Sequence, residues 1–280
     1  MSIKLAIMGA GGKMGCRILD NIRDDEQFEL YPVEIGEAGI ANLKERGLSP
    51  ALEETALAEA DAVVLGIPDR LIKTISQSII PKMKPGALVI SLDPAAAYAN
   101  VIPIREDLAY FVCHPCHPPL FQIEETKEAQ VDWFGGVAAK QSVVCALYKG
   151  EEENYERGEK IAAAMFKPIL RMHRITVEQM AILEPAIVET TTTSFIYACK
   201  EAMEEGIKLG IPEEAVWDFV MGHIRIQLAI IFGYAKFPFS DGALLALKEA
   251  QGHLIKEDWR EQITDIENVR RSVRSITGIA

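Results

Sequence analysis

Across residues 3–145, short runs of Val, Ile and Leu alternate with stretches of helical spacing. This alternation limits the possible folds more than any other feature. A strand buried on both faces is continuously apolar, and successive parallel strands need a crossover that is usually a helix. The runs 4–8, 29–35, 62–67, 87–92, 109–113 and 142–148 predict six such strands. Between them, 14–22 and 71–83 show helical spacing, and Lys84-Pro85-Gly86 stops the second helix with residues that cannot continue it.

After Gly150 the texture changes. Residues 151–166 predict an amphipathic helix and 168–175 a last strand, and from Thr176 onward the pattern is helical only. Thr176 and Gln179 have capping-box spacing, Gly210 ends a long pattern, and Pro212 restarts it. The pattern over 212–232 is nearly apolar around 224–232, more than the surface helix of a small domain should be, so it is expected to be buried or to form a dimer. The predicted fold class is α/β, with a doubly wound parallel sheet over 1–175 and an all-helical substrate and dimerisation domain over 176–280.

Length and charge narrow the function. A chain of 280 residues accommodates two domains with a sizeable core. With 29 Lys and Arg against 41 Asp and Glu, the net charge is −12, which argues against nucleic acid as a partner. The longest apolar runs fall well short of the ~18 residues a membrane span requires, so no membrane role is expected. The start Met1-Ser2-Ile3-Lys4-Leu5 shows neither a basic leader nor a cleavage site, and the five cysteines are an odd set read as reduced thiols; both predict a cytoplasmic protein.

Three segments carry the chemistry. Gly9-Ala10-Gly11-Gly12-Lys13-Met14-Gly15 lies between a predicted strand and a predicted helix and reads as a phosphate-binding turn. Small residues let the backbone approach a pyrophosphate, and the helix N-terminus supplies positive potential. With this turn, the alternation resembles a Rossmann sheet. Glu34 lies where an acid meets the adenosine ribose, favouring NAD over NADP; Glu37 is the competing acid, and Lys44 and Arg46 keep NADP as the second choice. Gly66-Ile67-Pro68-Asp69 follows the next strand, so Pro68 and Asp69 are expected along the cofactor.

The second segment is Cys113-His114-Pro115-Cys116-His117-Pro118-Pro119, directly after a strand. His114 and His117 are candidate bases for the hydroxyl proton that alcohol oxidation releases, and the bland alternative is two imidazoles bonded to backbone carbonyls. Structural zinc on this segment is the weaker reading, because four ligands so close together on a proline-stiffened stretch cannot easily converge. The third segment spans Glu184 to Ser194. Pro185 should kink the chain there and four threonines oppose a helix, a local rule broken as sites often break it. Glu184 and Glu189, five apart, diverge on an ideal α-helix unless the kink realigns them. His223 is a second-tier candidate.

These segments, with LEPAIVE (183–189), MGH (221–223) and KEDWR (256–260), resemble the 6-phosphogluconate dehydrogenase-like, β-hydroxyacid dehydrogenase superfamily, and within it the D-apionate oxidoisomerase-related branch. The resemblance implies NAD-dependent oxidation of a small sugar acid coupled to migration of its carboxyl-bearing group, giving a 3-oxo acid. His114, His117, Glu184 and Glu189 could supply the base and the groups that orient the substrate, and the glutamates are a weaker prospect as divalent-metal ligands. The lysine-to-asparagine helix pattern of the wider superfamily is missing, so Lys200 does not inherit a catalytic role. The alternatives are a plain hydroxyacid dehydrogenase without rearrangement and a dinucleotide-binding sensor without turnover. A homodimer is expected.

Overall fold

The computed structural model describes residues 2–279. Elements alternate as β1 (Ile3–Met8), α1 (Lys13–Ile22), β2 (Phe28–Val33), α2 (Glu37–Glu45), α3 (Glu53–Glu59), β3 (Ala62–Leu65), α4 (Asp69–Ile79), β4 (Leu88–Ser91), α5 (Ala95–Tyr98), β5 (Ala109–Pro115), α6 (Lys127–Gln130), β6 (Gln141–Lys149), α7 (Glu152–Met165) and β7 (Ile169–Arg174). The seven strands form one sheet in the order β2-β1-β3-β4-β5-β6-β7. Successive residues point to opposite faces, so each strand feeds two cores. Leu5, Ile7, Val64, Ile90 and Phe111 pack with Ile18, Leu19, Tyr155 and Ile161 on one face. Ala6, Met8, Val63, Val89 and Val112 pack with Leu57, Ile72, Ile79 and Met180 on the other. Both faces are covered, as a doubly wound sheet requires.

One feature departs from an all-parallel sheet. β1 to β5 run parallel, but β6 pairs antiparallel with β5, and β7 is parallel to β6. The reason is the connection. Residues 116–140 contain only the single turn α6 and no crossover helix, so the chain returns from the edge it has just reached. This long connection therefore lies at the carboxyl edge of β1 to β5. The order also changes direction at β1, with β2 on one side and β3 on the other, which places the switch point of the sheet between β1 and β3.

The chain divides into two compact units, Met1–Leu183 with Arg270–Ala280, and Glu184–Val269. The expected boundary at 175/176 is thus displaced. Thr176 does cap a helix, α8 (Val177–Ala181), by the predicted box with Gln179. Val177 and Met180 of that helix join the sheet core, which assigns α8 to the first unit.

The second unit is helical. Ile182–Thr192 is a π-helix that opens into α9 (Thr193–Lys208), followed by α10 (Glu213–Ile231), α11 (Asp241–Leu254) and α12 (Trp259–Thr264); α13 (Ile266–Ile276) carries the chain back to the first unit. The kink expected at Pro185 is replaced by widening. Pro185 has no N–H to donate, and the hydroxyls of Thr190, Thr191, Thr192 and Thr193 donate to the carbonyls of Pro185, Ala186, Ile187 and Val188, each five residues back. Residues five apart then succeed one another along one side of the helix, so Glu184 and Glu189 share a face that an α-helix would deny them.

Candidate active site

The switch point is occupied by the glycine turn. Gly9 and Ala10 donate to Val33 O at the end of β2, at 3.0 and 3.1 Å, and Gly12 donates back to Gly9 O at 3.0 Å. Gly9 has φ +72, a backbone shape that favours glycine. A methyl on Gly9 would lie 2.5 Å from Gly66 O, which closes the turn after β1 against the turn after β3. Gly12 caps α1 in extended conformation, and no side chain caps that helix. The first-turn N–H groups of α1 at Lys13, Met14 and Gly15 therefore face outward beside a helix N-terminus.

Gly12 leaves room for a dinucleotide beside the turn. Its φ of −73 does not require glycine, and a methyl there meets only Gly9 O at 3.2 Å and Gly66 O at 3.9 Å. Backbone strain does not demand the residue, and a methyl would be tight against Gly9 O without the outright clash found at Gly15, which fits a surface that an approaching pyrophosphate needs to be bare. Glu34 completes the cradle. Its Oε2 accepts from Gly11 N at 3.0 Å, and its Oε1 from Ile35 N and Gly36 N at 2.9 and 2.8 Å. Three backbone donors fix this carboxylate beside the turn. Pro68 precedes α4 at the end of β3, and Asp69 opens it.

His114 and His117 stand at the same edge, at and just beyond the end of β5. His114 Nδ1 lies 2.8 Å from Leu92 O and His117 Nδ1 lies 2.8 Å from Phe134 O. A carbonyl only accepts, so each Nδ1 carries a proton, and Nε2 is the nitrogen left to exchange one. The carbonyl-bonded arrangement and the catalytic one are therefore compatible. The rings stand 6.5 Å apart at 86°, and His117 is held at φ +60, unusual for a side-chain-bearing residue. Cys113 faces the core while His114 faces the opposite side, and burial holds the Cys113 thiol well above its ordinary pKa. This separation opposes a zinc site on the segment.

Asp93, just beyond β4, was not anticipated. Its Oδ1 accepts from Ala95 N at 2.7 Å, and its carboxylate lies within 4.8 Å of a ring nitrogen of His114. An aspartate one residue beyond the apolar run of β4 is the signal that could have found it, because ligands bind outside the carboxyl ends of such strands. Among the described residues of this unit, Asp93 and His114 bring donor atoms that suit a divalent cation close together. Asp69 is half-buried nearby. Burial pushes its carboxyl above the ordinary value of 3.8, against its own backbone N–H and the charge of His114. A raised folded pKa means that the folded state holds the proton more tightly than the unfolded chain, so this stability is full below pH 3.8 and is lost as pH rises through the folded value. Asp69→Asn should thus raise the melting temperature at pH 7, with the difference vanishing below about pH 4, measured by calorimetry across that range.

In the second unit, half-buried Glu184 and exposed Glu189 lie on the π-helix. His223 stacks on Phe219 with centroids 4.1 Å apart, and its Nδ1 bonds Phe219 O at 2.7 Å, as a packed histidine does.

A mostly parallel, doubly wound sheet with a bare glycine turn at its switch point and a fixed acid at the end of β2 defines a dinucleotide-binding α/β protein. Residues 122–277 match the family described as phosphogluconate dehydrogenase (decarboxylating), C-terminal. The chain is 42% identical to a D-apionate oxidoisomerase of Cupriavidus necator over 99% of its own length and 100% of that protein's. It superposes with TM-score 0.96, at 42% identity and covering 99% and 100% of the two chains, on a semialdehyde dehydrogenase NAD-binding protein from Cupriavidus necator in complex with calcium and NAD. A putative oxidoreductase from Jannaschia sp. CCS1 gives TM-score 0.93 at 40% identity, covering 99% and 100%. The chain belongs to this phosphogluconate dehydrogenase-like family, together with the proteins named D-apionate oxidoisomerase. The fold class, the family and the oxidoreductase class expected from the sequence are borne out.

Proposed function

We propose that the protein oxidises a branched sugar acid, D-apionate or a close relative, with NAD, and couples the oxidation to migration of the carboxyl-bearing group to give a 3-oxo acid. The observation that carries this reading is the pair of imidazoles at the end of β5, each with Nδ1 bonded to a carbonyl, at the strand edge that holds the glycine turn. NAD, when bound, supplies the hydride acceptor. The N–H groups at the start of α1, with Gly11, Gly12, Lys13, Met14 and Gly15, hold its pyrophosphate. Glu34 accepts from the ribose hydroxyls and repels a 2′-phosphate, which selects NAD over NADP.

His114 Nε2 removes the hydroxyl proton as the carbinol hydrogen leaves with its electron pair. Both electrons of the oxidation go with that hydride, so the migration is an isomerisation with no further redox change. His117 donates to or accepts from a substrate oxygen. Glu184 and Glu189 orient the substrate. Asp93 would be the sheet-unit ligand for a divalent cation, which would stabilise charge on substrate oxygens while the one lone pair of His114 Nε2 takes the proton; the calcium in the complex of the Cupriavidus necator protein accords with such a role. The test is NADH formation with D-apionate and a panel of short sugar acids, with magnesium or with chelator, followed by NMR of the products. A rearranged 3-oxo acid is expected. An unrearranged oxo acid, or NAD binding without turnover across the panel, would overturn the reading.

No helix among the described residues is long and apolar enough to cross a membrane. A cytoplasmic location is supported by the cysteines, all free thiols. A homodimer is supported by the helical unit alone. Within it Phe195, Tyr197, Trp217, Phe219, Phe232 and Tyr234 are exposed, and α9 and α10 flank an apolar groove of about 660 Å³. Apolar surface on this scale is covered in solution, and a second copy presenting the same helices is the self-complementary partner. Sedimentation at micromolar concentration should show a dimer; a monomer would refute it.

A further inference from the structure

Phe134 lies in the 116–140 connection, and its two ends hold groups from two different parts of the site. Its carbonyl accepts the Nδ1 proton of His117 at 2.8 Å, and its ring lies 4.6 Å from the His117 ring. Over the same ring stand two cations from the start of α1. Lys13 Nζ is 4.1 Å from the centroid and Arg17 Cζ is 4.4 Å from it. Lys13 is the first residue of α1, directly after the glycine turn, and Arg17 lies one helical turn further on.

The connection itself is also pinned by Asp132, which forms an ion pair with Arg17 at 3.7 Å. Asp132 Oδ1 accepts from Gly135 N, and its Oδ2 accepts from the N–H groups of Val137, Ala138 and Ala139, all at 3.0 to 3.2 Å. Gly135 turns at φ +77, where a methyl would strike Gln141 Oε1 at 2.6 Å and Pro118 Cδ at 2.9 Å. The loop therefore presents Phe134 from a fixed base.

From this juxtaposition we infer that Phe134 is a positioning residue that sets the cofactor turn and the His117 imidazole as one unit. The inference rests on the reading of this edge as the active site. The ring holds Lys13 in place before the cofactor arrives, so less side-chain freedom is lost on binding. The carbonyl and ring fix the tautomer and tilt of His117, so that Nε2 is the nitrogen offered to the substrate. Any movement of Lys13 towards a bound pyrophosphate is felt by the ring that supports the imidazole.

The test uses the full-length protein with Phe134→Leu and Phe134→Tyr, the second keeping the aromatic face. Phe134→Leu is expected to weaken NAD binding about three- to tenfold, the scale of a lost cation–π contact, and to lower kcat at saturating NAD. Phe134→Tyr should restore both. In the wild type, NAD without substrate should shift the His117 imidazole NMR signal, assigned with His117→Ala, and Phe134→Leu should abolish that shift. Both variants are checked for an unchanged fold by circular dichroism. Equal NAD affinity and an equal imidazole shift in Phe134→Leu would overturn the proposal. So would failure of Phe134→Tyr to rescue a properly folded protein. The binding and NMR readouts require no substrate, so an error in the assigned reaction would show as absent turnover with these two responses intact.

Discussion

Replacing His114 with alanine is expected to lower kcat by about 10²- to 10⁴-fold, the usual cost of removing a positioned general base. The affinity for NAD should stay within about twofold, because the glycine turn and Glu34 carry cofactor binding and the change leaves their hydrogen bonds intact. The expected split follows from the geometry. His114 is the residue of β5 that turns away from the core beside Cys113, and its Nδ1 is committed to Leu92 O. Only Nε2 can exchange a proton with a substrate, and Asp69 and Asp93 lie on the same side of the sheet edge. His114→Gln keeps a polar group of similar reach but has no basic nitrogen, and should be nearly as impaired. Single-turnover measurements of NADH formation, with NAD affinity measured separately, check both parts. Wild-type kcat in His114→Ala would remove this histidine from the chemistry.

Much of the architecture was legible because the responsible physics is local. Strands buried on both faces must be apolar, and Lys84-Pro85-Gly86 or Thr176 with Gln179 act on the backbone within a few residues. The glycine turn was legible for the same reason, since its neighbours in sequence are the strand and helix that use it. The reversal of β6 was not. It depends on the 116–140 connection staying at one sheet edge, and the β-rich run at 141–149 reads the same in either direction. The π-helix was half legible. Pro185 and the threonines marked a broken α-pattern, but whether such a segment kinks or widens depends on hydroxyls finding carbonyls five residues back. Asp93 escaped because one aspartate after a strand has no periodic partner, and its meaning appears only when β4 and β5 lie side by side. Phe134 escaped for a related reason, being more than a hundred residues from Lys13 in sequence and 4.1 Å from it in space.

Gly15→Ala should all but abolish NAD binding, and comparing it with Gly12→Ala separates the turn's packing from its function. Gly15 is inside α1, where alanine in place of glycine would ordinarily add about 0.5–1 kcal/mol of stability. Packing reverses the sign. The added methyl would lie 2.4 Å from Gly9 O and 2.5 Å from Ala10 O, both backbone atoms that cannot rotate aside. Either α1 retreats or the turn opens, at about 1–3 kcal/mol for an overpacked site, and in both cases the outward N–H groups leave the positions a pyrophosphate needs. A fall in NAD affinity of about a hundredfold or more is expected, since the helix terminus supplies its positive potential over a very short range. At Gly12 the nearest contact is Gly9 O at 3.2 Å, tight but well short of the 2.4 Å clash at Gly15, so alanine should lower the melting temperature of the unliganded protein far less than Gly15→Ala does. Yet its methyl would project into the surface reserved for the cofactor. NAD should therefore raise the melting temperature of the wild type and of neither variant, since a ligand stabilises only the folded form it can bind. Gly12→Ala retaining the full NAD-induced shift would show that the cofactor approaches the turn from another side.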